Sequence, residues 1–313
     1  MPKWDVFLLG DLNVDLVLFV GKLPRPDTDI QVKDIRTLLG GVGYNMSAAM
    51  RDLGLNPYLV GSVGNDFLGM KLLEGLRNLM LDVSGVKVVS GVSTGLVVVL
   101  VLPDGSRALL SFRGANSHTA LSTHDLTSLE DARHAHVSGY MLLNIDGGRA
   151  AIEVLRRAGE LRISRSVDLE GIAFSNEERL KLIEGLAEHV FMNTEEMKSL
   201  TGLNDVVEGA RRIRKLLKPE TVVVKMGAEG SLALTDSEVL RERAPPVEAV
   251  DCTGAGDVFN AGFIYGTLKG LELRKVLRIS NALAAYKCGR KGDRRLPAGP
   301  EILDALKDLW SDA

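Results

Sequence analysis

The sequence predicts an α/β protein in one large unit with a small appendage. Its core is a central, mostly parallel sheet flanked by helices. Three observations point there. The chain has 313 residues, 45% hydrophobic and 25% charged, which are ordinary values for a single large α/β unit. From Ala135 onward, strand-like runs alternate with helical stretches, the pattern of parallel strands joined by crossover helices. Between Val83 and Leu110 that alternation gives way to a β-rich stretch with a Pro103-Asp104-Gly105-Ser106 hairpin turn.

Taken in order, Val6 to Leu9 reads as a buried strand ending at Gly10. Asp11, Asn13 and Asp15 then alternate with Leu12, Val14 and Leu16, so the three polar groups share one face of an extended segment. That face is either the wet side of a strand or a row of acceptors for a polyol. Gly21 to Asp29 is a loop and Ile30 to Leu39 a strand. Gly40, Gly41 and Gly43 precede a small-residue helix from about Asn45 to a C-cap at Gly54. A dinucleotide fingerprint fails here because Met46 occupies the third glycine position. Tyr58 to Gly61 is a strand. Asn65 or Asp66 caps a helix to about Met80, with an apolar stripe of Leu68, Leu72, Leu73, Leu76 and Leu79. Gly64 to Lys71 is not a P-loop, since Met70 separates Gly69 from Lys71. Strands follow at Val86–Val89, Gly95–Leu102 and Arg107–Phe112. Asn116 is a turn residue or faces a site, and His118, His124, His134 and His136 read as surface or loop histidines.

In the second half, a strand ends near Gly139, and Arg149 to Leu161 is a helix. The next strand carries Asp168 at its C-terminal end, where open α/β sheets place ligands. Asn193 and Glu196 sit as N-cap and N3 of a capping box. Thr221 to Lys225 is a strand, turning at Gly227 and Gly230 into Ser231–Leu234. Ile279 to Cys288 and Pro300 to Trp310 are helices, and Arg290 to Arg295 is a solvated basic run.

The richest stretch is Val250 to Gly266. Gly254, Ala255 and Gly256 let the backbone approach a ligand, and an apolar helix follows. Unpaired amides at a helix start, with the helix dipole, form an anion site. Asp257 stands beside it, either as a first-turn acid favoured by the dipole or as a base next to a held phosphoryl group.

Residues 251–257, D-C-T-G-A-G-D, resemble the D-T-x-G-A-G-D signature of the ribokinase-like (PfkB) carbohydrate kinases. The other motifs of that family are matched in order. Gly40, Gly41, Gly43 and Asn45 fit G-G-x-G-x-N, and residues 61–69 fit G-x-V-G-x-D-x-x-G. Asn193 and Glu196 fit N-x-x-E, and Lys225, Gly227 and Gly230 fit K-x-G-x-x-G. The resemblance implies a ribokinase-like fold over residues 1–313, with a β-lid built from about 12–37 and 92–115. It implies transfer of the ATP γ-phosphoryl group to a sugar hydroxyl, with Asp257 as general base and Gly254, Ala255 and Gly256 as the anion hole. Asn13, Asp15, Gly40, Gly41, Gly43, Asn45 and Asn116 would bind the sugar. Asn193, Lys225, Gly227, Gly230, Thr253 and Asn281 would bind ATP. Asn193 and Glu196 would organise Mg²⁺ through water, and Asp251 would border a monovalent cation such as K⁺. Relatives dimerise through the lid, which implies a homodimer. Two departures stand out: Val42 replaces a lysine common in ribokinases, and Glu170 replaces the asparagine of a D-x-N pair.

The net charge of −3 excludes a nucleic-acid footprint. No apolar run is long enough for a membrane span. Two cysteines, Cys252 and Cys288, far apart in sequence, argue for reduced thiols in a cytoplasmic protein. A nucleoside kinase of the same family is the alternative function. A non-catalytic sugar-binding relative ranks lower, because Asp257 and its glycines are all present.

Overall fold

Val6, Phe7, Leu8 and Leu9 are wholly buried. A strand apolar on both faces must lie inside a sheet covered on both sides. In the computed structural model, which describes residues 2–174, 177–290 and 296, that strand lies within the large sheet, between two parallel neighbours.

In chain order the elements begin with β1 (Trp4–Leu9), β2 (Asn13–Val20), β3 (Val32–Gly40), α1 (Val42–Asp52), β4 (Pro57–Gly64), α2 (Phe67–Asn78) and β5 (Val86–Val89). Then come β6 (Gly95–Val101), β7 (Arg107–Phe112), α3 (Thr123–Glu130), β8 (Ala132–Ser138), α4 (Arg149–Glu160), β9 (Ser164–Asp168) and α5 (Glu177–Lys181). The remainder are β10 (His189–Asn193), α6 (Thr194–Thr201), α7 (Val206–Leu217), β11 (Thr221–Lys225), β12 (Ser231–Leu234), β13 (Val239–Glu242), α8 (Ala255–Leu268) and α9 (Leu273–Cys288).

The large sheet has nine strands in the order β13-β12-β11-β10-β9-β8-β1-β4-β5. All pairs are parallel except β11–β12 and β12–β13. One core lies between β1, β8–β11 and helices α4, α6 and α7. A second lies between β1, β4 and helices α1, α2, α8 and α9, and a third, smaller one between β10–β13 and helices α8 and α9. The small sheet is β3-β2-β6-β7, with β2–β6 parallel. Its β2 leaves β1 after only residues 10–12, so the lid strand is a direct continuation of a core strand.

Helix starts follow local chemistry. Asp66 caps α2 by accepting from the Gly69 amide at 2.8 Å. Helix α1 begins at Val42, earlier than the expected Asn45, so Gly43 lies inside its first turn. Gly41 precedes it at φ 86°, and a Cβ there would stand 2.4 Å from the Asp11 carbonyl oxygen, so only glycine fits. The expected helix over 300–310 lies outside the described residues, as does most of the basic run after Arg290. Among the described residues, no helix is long and apolar enough to cross a membrane.

Two expectations are corrected. Cys252 and Cys288 are joined in a disulfide rather than kept apart as thiols. The α8–α9 hairpin returns the chain on itself, so their sequence separation of 36 does not measure their separation in space. His134 and His136 are not surface residues. They lie in β8, fully buried, with Ser166 hydrogen-bonded to both, at 2.8 Å from His134 and 2.7 Å from His136. Serine hydroxyls pair with both ring nitrogens of His134 and with Nδ1 of His136, while His136 Nε2 is buried with no hydrogen-bond partner among the described residues.

These histidines make stability pH-dependent. Burial depresses the pKa of His134 well below its ordinary value and that of His136 to about 4. The unfolded chain therefore takes up protons first as pH falls below roughly 6.5, so their contribution is present above that pH and lost below it. Two buried acids act in the opposite sense over the same window, Glu170 beyond β9 and Glu196 in α6, because burial raises their pKa values. The histidine share is thus a difference. Urea midpoints of wild type should drop more between pH 7.5 and 5 than those of a His134→Gln/His136→Gln protein. Equal drops would refute it.

Candidate active site

Three strand ends and one helix start meet at the C-terminal edge of the large sheet. Asp168 ends β9, Asn193 ends β10, Lys225 ends β11, and α8 begins at Ala255. Helix α8 is apolar on every side, and Val258 to Gly266 are all buried, so its first turn is fixed by packing. Gly254 precedes it at φ 80°, a left-handed conformation that suits glycine. No side chain caps this start, and Ala255 and Gly256 line a cleft. The Ala255 amide is taken by the Cys252 carbonyl at 3.1 Å.

Asp257 lies in that first turn. The Asn45 Nδ2 amide of α1 donates to its Oδ2 at 2.7 Å. The N-terminal glycine motif and the C-terminal one, 212 residues apart, thus meet through one hydrogen bond.

Behind the helix start, Lys225 is ion-paired with Asp168, with 15% and 2% of their side chains exposed. Asn260 Nδ2 donates to the same Asp168 oxygen at 2.6 Å. Burial works against the Lys225 charge, but Asp168 and Glu196 outweigh it and raise its pKa. A Cβ on Gly256 would lie 3.4 Å from the Lys225 ammonium, so this cation stands beside the anion site. Acids crowd the same edge. Burial first, then the Asp168 charge, push Glu196 up to about 7. Burial and the charges of Asp168 and Asp257 raise Glu170, which accepts from Ser138 Oγ. The capping box is present as read: Asn193 Oδ1 accepts the Glu196 amide at 2.9 Å, and Glu196 Oε2 accepts the Asn193 amide at 2.7 Å.

On one side of α8, a cleft of about 630 Å³ is lined by Lys225, Gly227, Gly230, Pro246, Phe259 and Asn281, among others. Asn281 is held by donating to the Glu242 carbonyl at 3.0 Å. On the other side, under the small sheet, a cleft of about 320 Å³ is lined by Asp15, Arg36, Leu38, Arg107, Asp251 and Thr253, among others. The two clefts share Cys252, so they adjoin at the α8 start. Asn13 and Asp15 lie on one face of β2, as their spacing predicts. Asp11 leaves that row, since Arg113 Nη2 binds it at 2.8 Å. Asn116 is wholly buried and grips the start of β2. It accepts the Leu12 amide at 2.8 Å and donates to Asn13 Oδ1 at 2.8 Å.

Sequence reasoning missed two cations here. Arg107 of β7 reaches down from the lid and donates to Thr253 Oγ1 at 2.6 Å. Lys287 of α9 is 2% exposed and donates to the Asp251 carbonyl at 2.8 Å. Neither carries a motif. Arg107 follows a hairpin turn like any solvated lid residue, and Lys287 sits in the last helical turn, where lysine is common.

Such a sheet, with two clefts adjoining at an uncapped helix start and a small sheet over one of them, suits an enzyme that holds two substrates across an anion site. The profile of the pfkB family of carbohydrate kinases matches residues 3–298, and the chain belongs to that family. An ATP-dependent ribose-1-phosphate kinase of Halopiger xanaduensis is 28% identical over 97% of this chain and 99% of its own. A nucleoside kinase of Methanothermobacter thermautotrophicus is 29% identical over 98% and 96%. The structure of Arabidopsis thaliana ribokinase complexed with ribose and ATP superposes with a TM-score of 0.85 at 25% identity, covering 97% of this chain and 99% of that one.

Proposed function

We propose that this chain transfers the γ-phosphoryl group of ATP to a hydroxyl of a sugar, with Asp257 as general base. One observation carries the reading: the Asn45–Asp257 hydrogen bond sets a carboxylate of the anion-site helix against the N-terminal glycine motif. A hydroxyl held there has an acceptor for its proton and a phosphoryl cradle on the far side. Asn13, Asp15, Gly40, Gly41, Gly43 and Asn45 hold the sugar, and Asn116 sets the start of β2 beneath it. Gly254, Ala255 and Gly256 face the transferring group, and Thr253 and Arg107 sit where charge develops. Lys225, Gly227, Gly230, Asn193 and Asn281 hold the nucleotide in the larger cleft.

Glu196 and Asn193 fit Mg²⁺, because a carboxyl pushed up by burial and by the Asp168 charge gains from a nearby divalent cation and the oxygens suit this hard ion. They would hold it through water, since their direct hydrogen bonds cap α6, and the ion would neutralise phosphate charge. Asp251 does not enter as a K⁺ ligand, because a lysine ammonium stands at it. The domain reading is one unit over 1–313 with the small sheet as lid. ATP as donor suggests the cytoplasm; the cysteine argument for it fails with the disulfide.

The test is a panel of ribose, ribose 1-phosphate, other sugars and nucleosides, scored for acceptor-dependent ADP release with Mg-ATP. Turnover cut by about 10²–10⁴-fold in Asp257→Asn and reduced in Arg107→Ala, with ATP binding kept, is the expected result. Preference for a nucleoside would select the second reading, favoured by the M. thermautotrophicus relative. No turnover on any acceptor would overturn the kinase assignment.

A homodimer through the lid fits the exposed Ile35, Leu109, Leu110 and Phe112 on its strands. Sedimentation velocity should give a dimer that Leu110→Asp converts to monomer. A monomeric wild type would remove the proposal.

A further inference from the structure

The cation position expected beside Asp251 does not fit an added ion. Lys287 projects from the last turn of α9 with 2% of its surface exposed. Its ammonium donates to the Asp251 carbonyl oxygen at 2.8 Å and lies 4.0 Å from the Asp251 carboxylate. A monovalent cation there would need the same carbonyl and carboxylate, and an ammonium group is close to K⁺ in charge and size. The surroundings suit a fixed positive charge, since the C-terminal end of a helix carries partial negative charge.

The segment this ammonium holds is the approach to the anion site. The Val250 and Asp251 amides both donate to the Cys288 carbonyl, at 2.8 and 3.0 Å. Asp251 Oδ1 accepts the Thr253 amide at 3.0 Å, and Gly254 follows as the cap of α8. Loop 250–253 is therefore docked on the end of α9 by two amides, one ammonium and the Cys252–Cys288 bond.

We infer that Lys287 supplies from within the chain the charge that a bound monovalent cation would supply at Asp251. It is a positioning residue for the anion-site loop, and it makes the enzyme independent of K⁺. The inference rests on the kinase reading for its rate measurement, but not for its binding measurement.

The experiment measures kcat with Mg-ATP and an acceptor from the panel, in KCl, NaCl and tetramethylammonium chloride at equal ionic strength. Wild type should vary by less than about twofold, far below the 5–150-fold typical of coupled sites. Lys287→Met should lose activity within that 5–150-fold span in all three salts. Lys287→Ala leaves room for an ion, so its kcat should recover saturably with K⁺ but not with tetramethylammonium. Calorimetric titration with Mg-ATP in the same salts gives a readout independent of turnover. Affinity should be salt-invariant in wild type and K⁺-dependent in Lys287→Ala. If no acceptor turns over, the kinase reading fails while this titration still decides the inference. K⁺ activation of wild type by about tenfold or more would overturn the inference, being itself a coupling of that size. So would variants that lose stability equally in every salt with no K⁺ rescue.

Discussion

Asp257→Asn should lower kcat by about 10²–10⁴-fold, the range for loss of a general base. That is roughly 3–5 kcal/mol of transition-state free energy. The substitution is nearly isosteric, and an asparagine oxygen can still accept the 2.7 Å hydrogen bond from Asn45 Nδ2. Helix α8 keeps its packed apolar faces. The KM for ATP and the thermal midpoint should therefore stay near wild type, and the loss should fall on kcat. Steady-state kinetics with the best acceptor, alongside a melting curve, separates these quantities. A variant with unchanged kcat would show that the proton leaves by another route. A variant with lowered kcat and a collapsed melting curve would show only that Asp257 supports the fold.

Lys225→Met should be the most destabilising single change near the site. Asp168 is 1% exposed, and its partners are the Lys225 ammonium and the Asn260 amide. Removing the ammonium leaves a buried carboxylate among other acids, at a cost of roughly 3–5 kcal/mol. Replacing both ends with an uncharged pair, Lys225→Met with Asp168→Leu, should recover much of that, because removing both charges avoids the uncompensated one. Urea unfolding of wild type, single and double variants gives the comparison. A single variant within about 1 kcal/mol of wild type, the ceiling for surface pairs, would mean water already screens the pair. Weaker ATP binding should accompany the change, since the ammonium stands beside Gly256 at the anion site.

What the sequence made legible has local causes. The start of α8 could be read because a glycine cap, two small residues and an apolar run each impose a conformation on their own positions. The capping box of Asn193 and Glu196 is equally local, and it formed as spaced. The alternation of strands and helices after Ala135 fixed the parallel sheet. What stayed hidden depends on residues distant in the chain. His134 and His136 look polar in sequence, and only the register of β8 against β9 puts Ser166 within reach of both rings. Lys287 is one lysine among many until α9 packs against α8. The onset of α1 was misplaced because its glycines read as a turn, although the contact at Gly41 is a tertiary demand made by the Asp11 carbonyl.

The Cys252–Cys288 bond has its thermodynamic effect in a state that no folded structure depicts. Joining residues 36 apart turns the α8–α9 segment of the unfolded chain into a closed ring. In the chain-entropy account, a ring of that length removes roughly 3–5 kcal/mol of conformational freedom from the denatured ensemble. The native hairpin is held by its own packing whether or not the sulfurs are joined. The bond acts instead by making the alternative to folding less populous, and any reducing environment gives that freedom back.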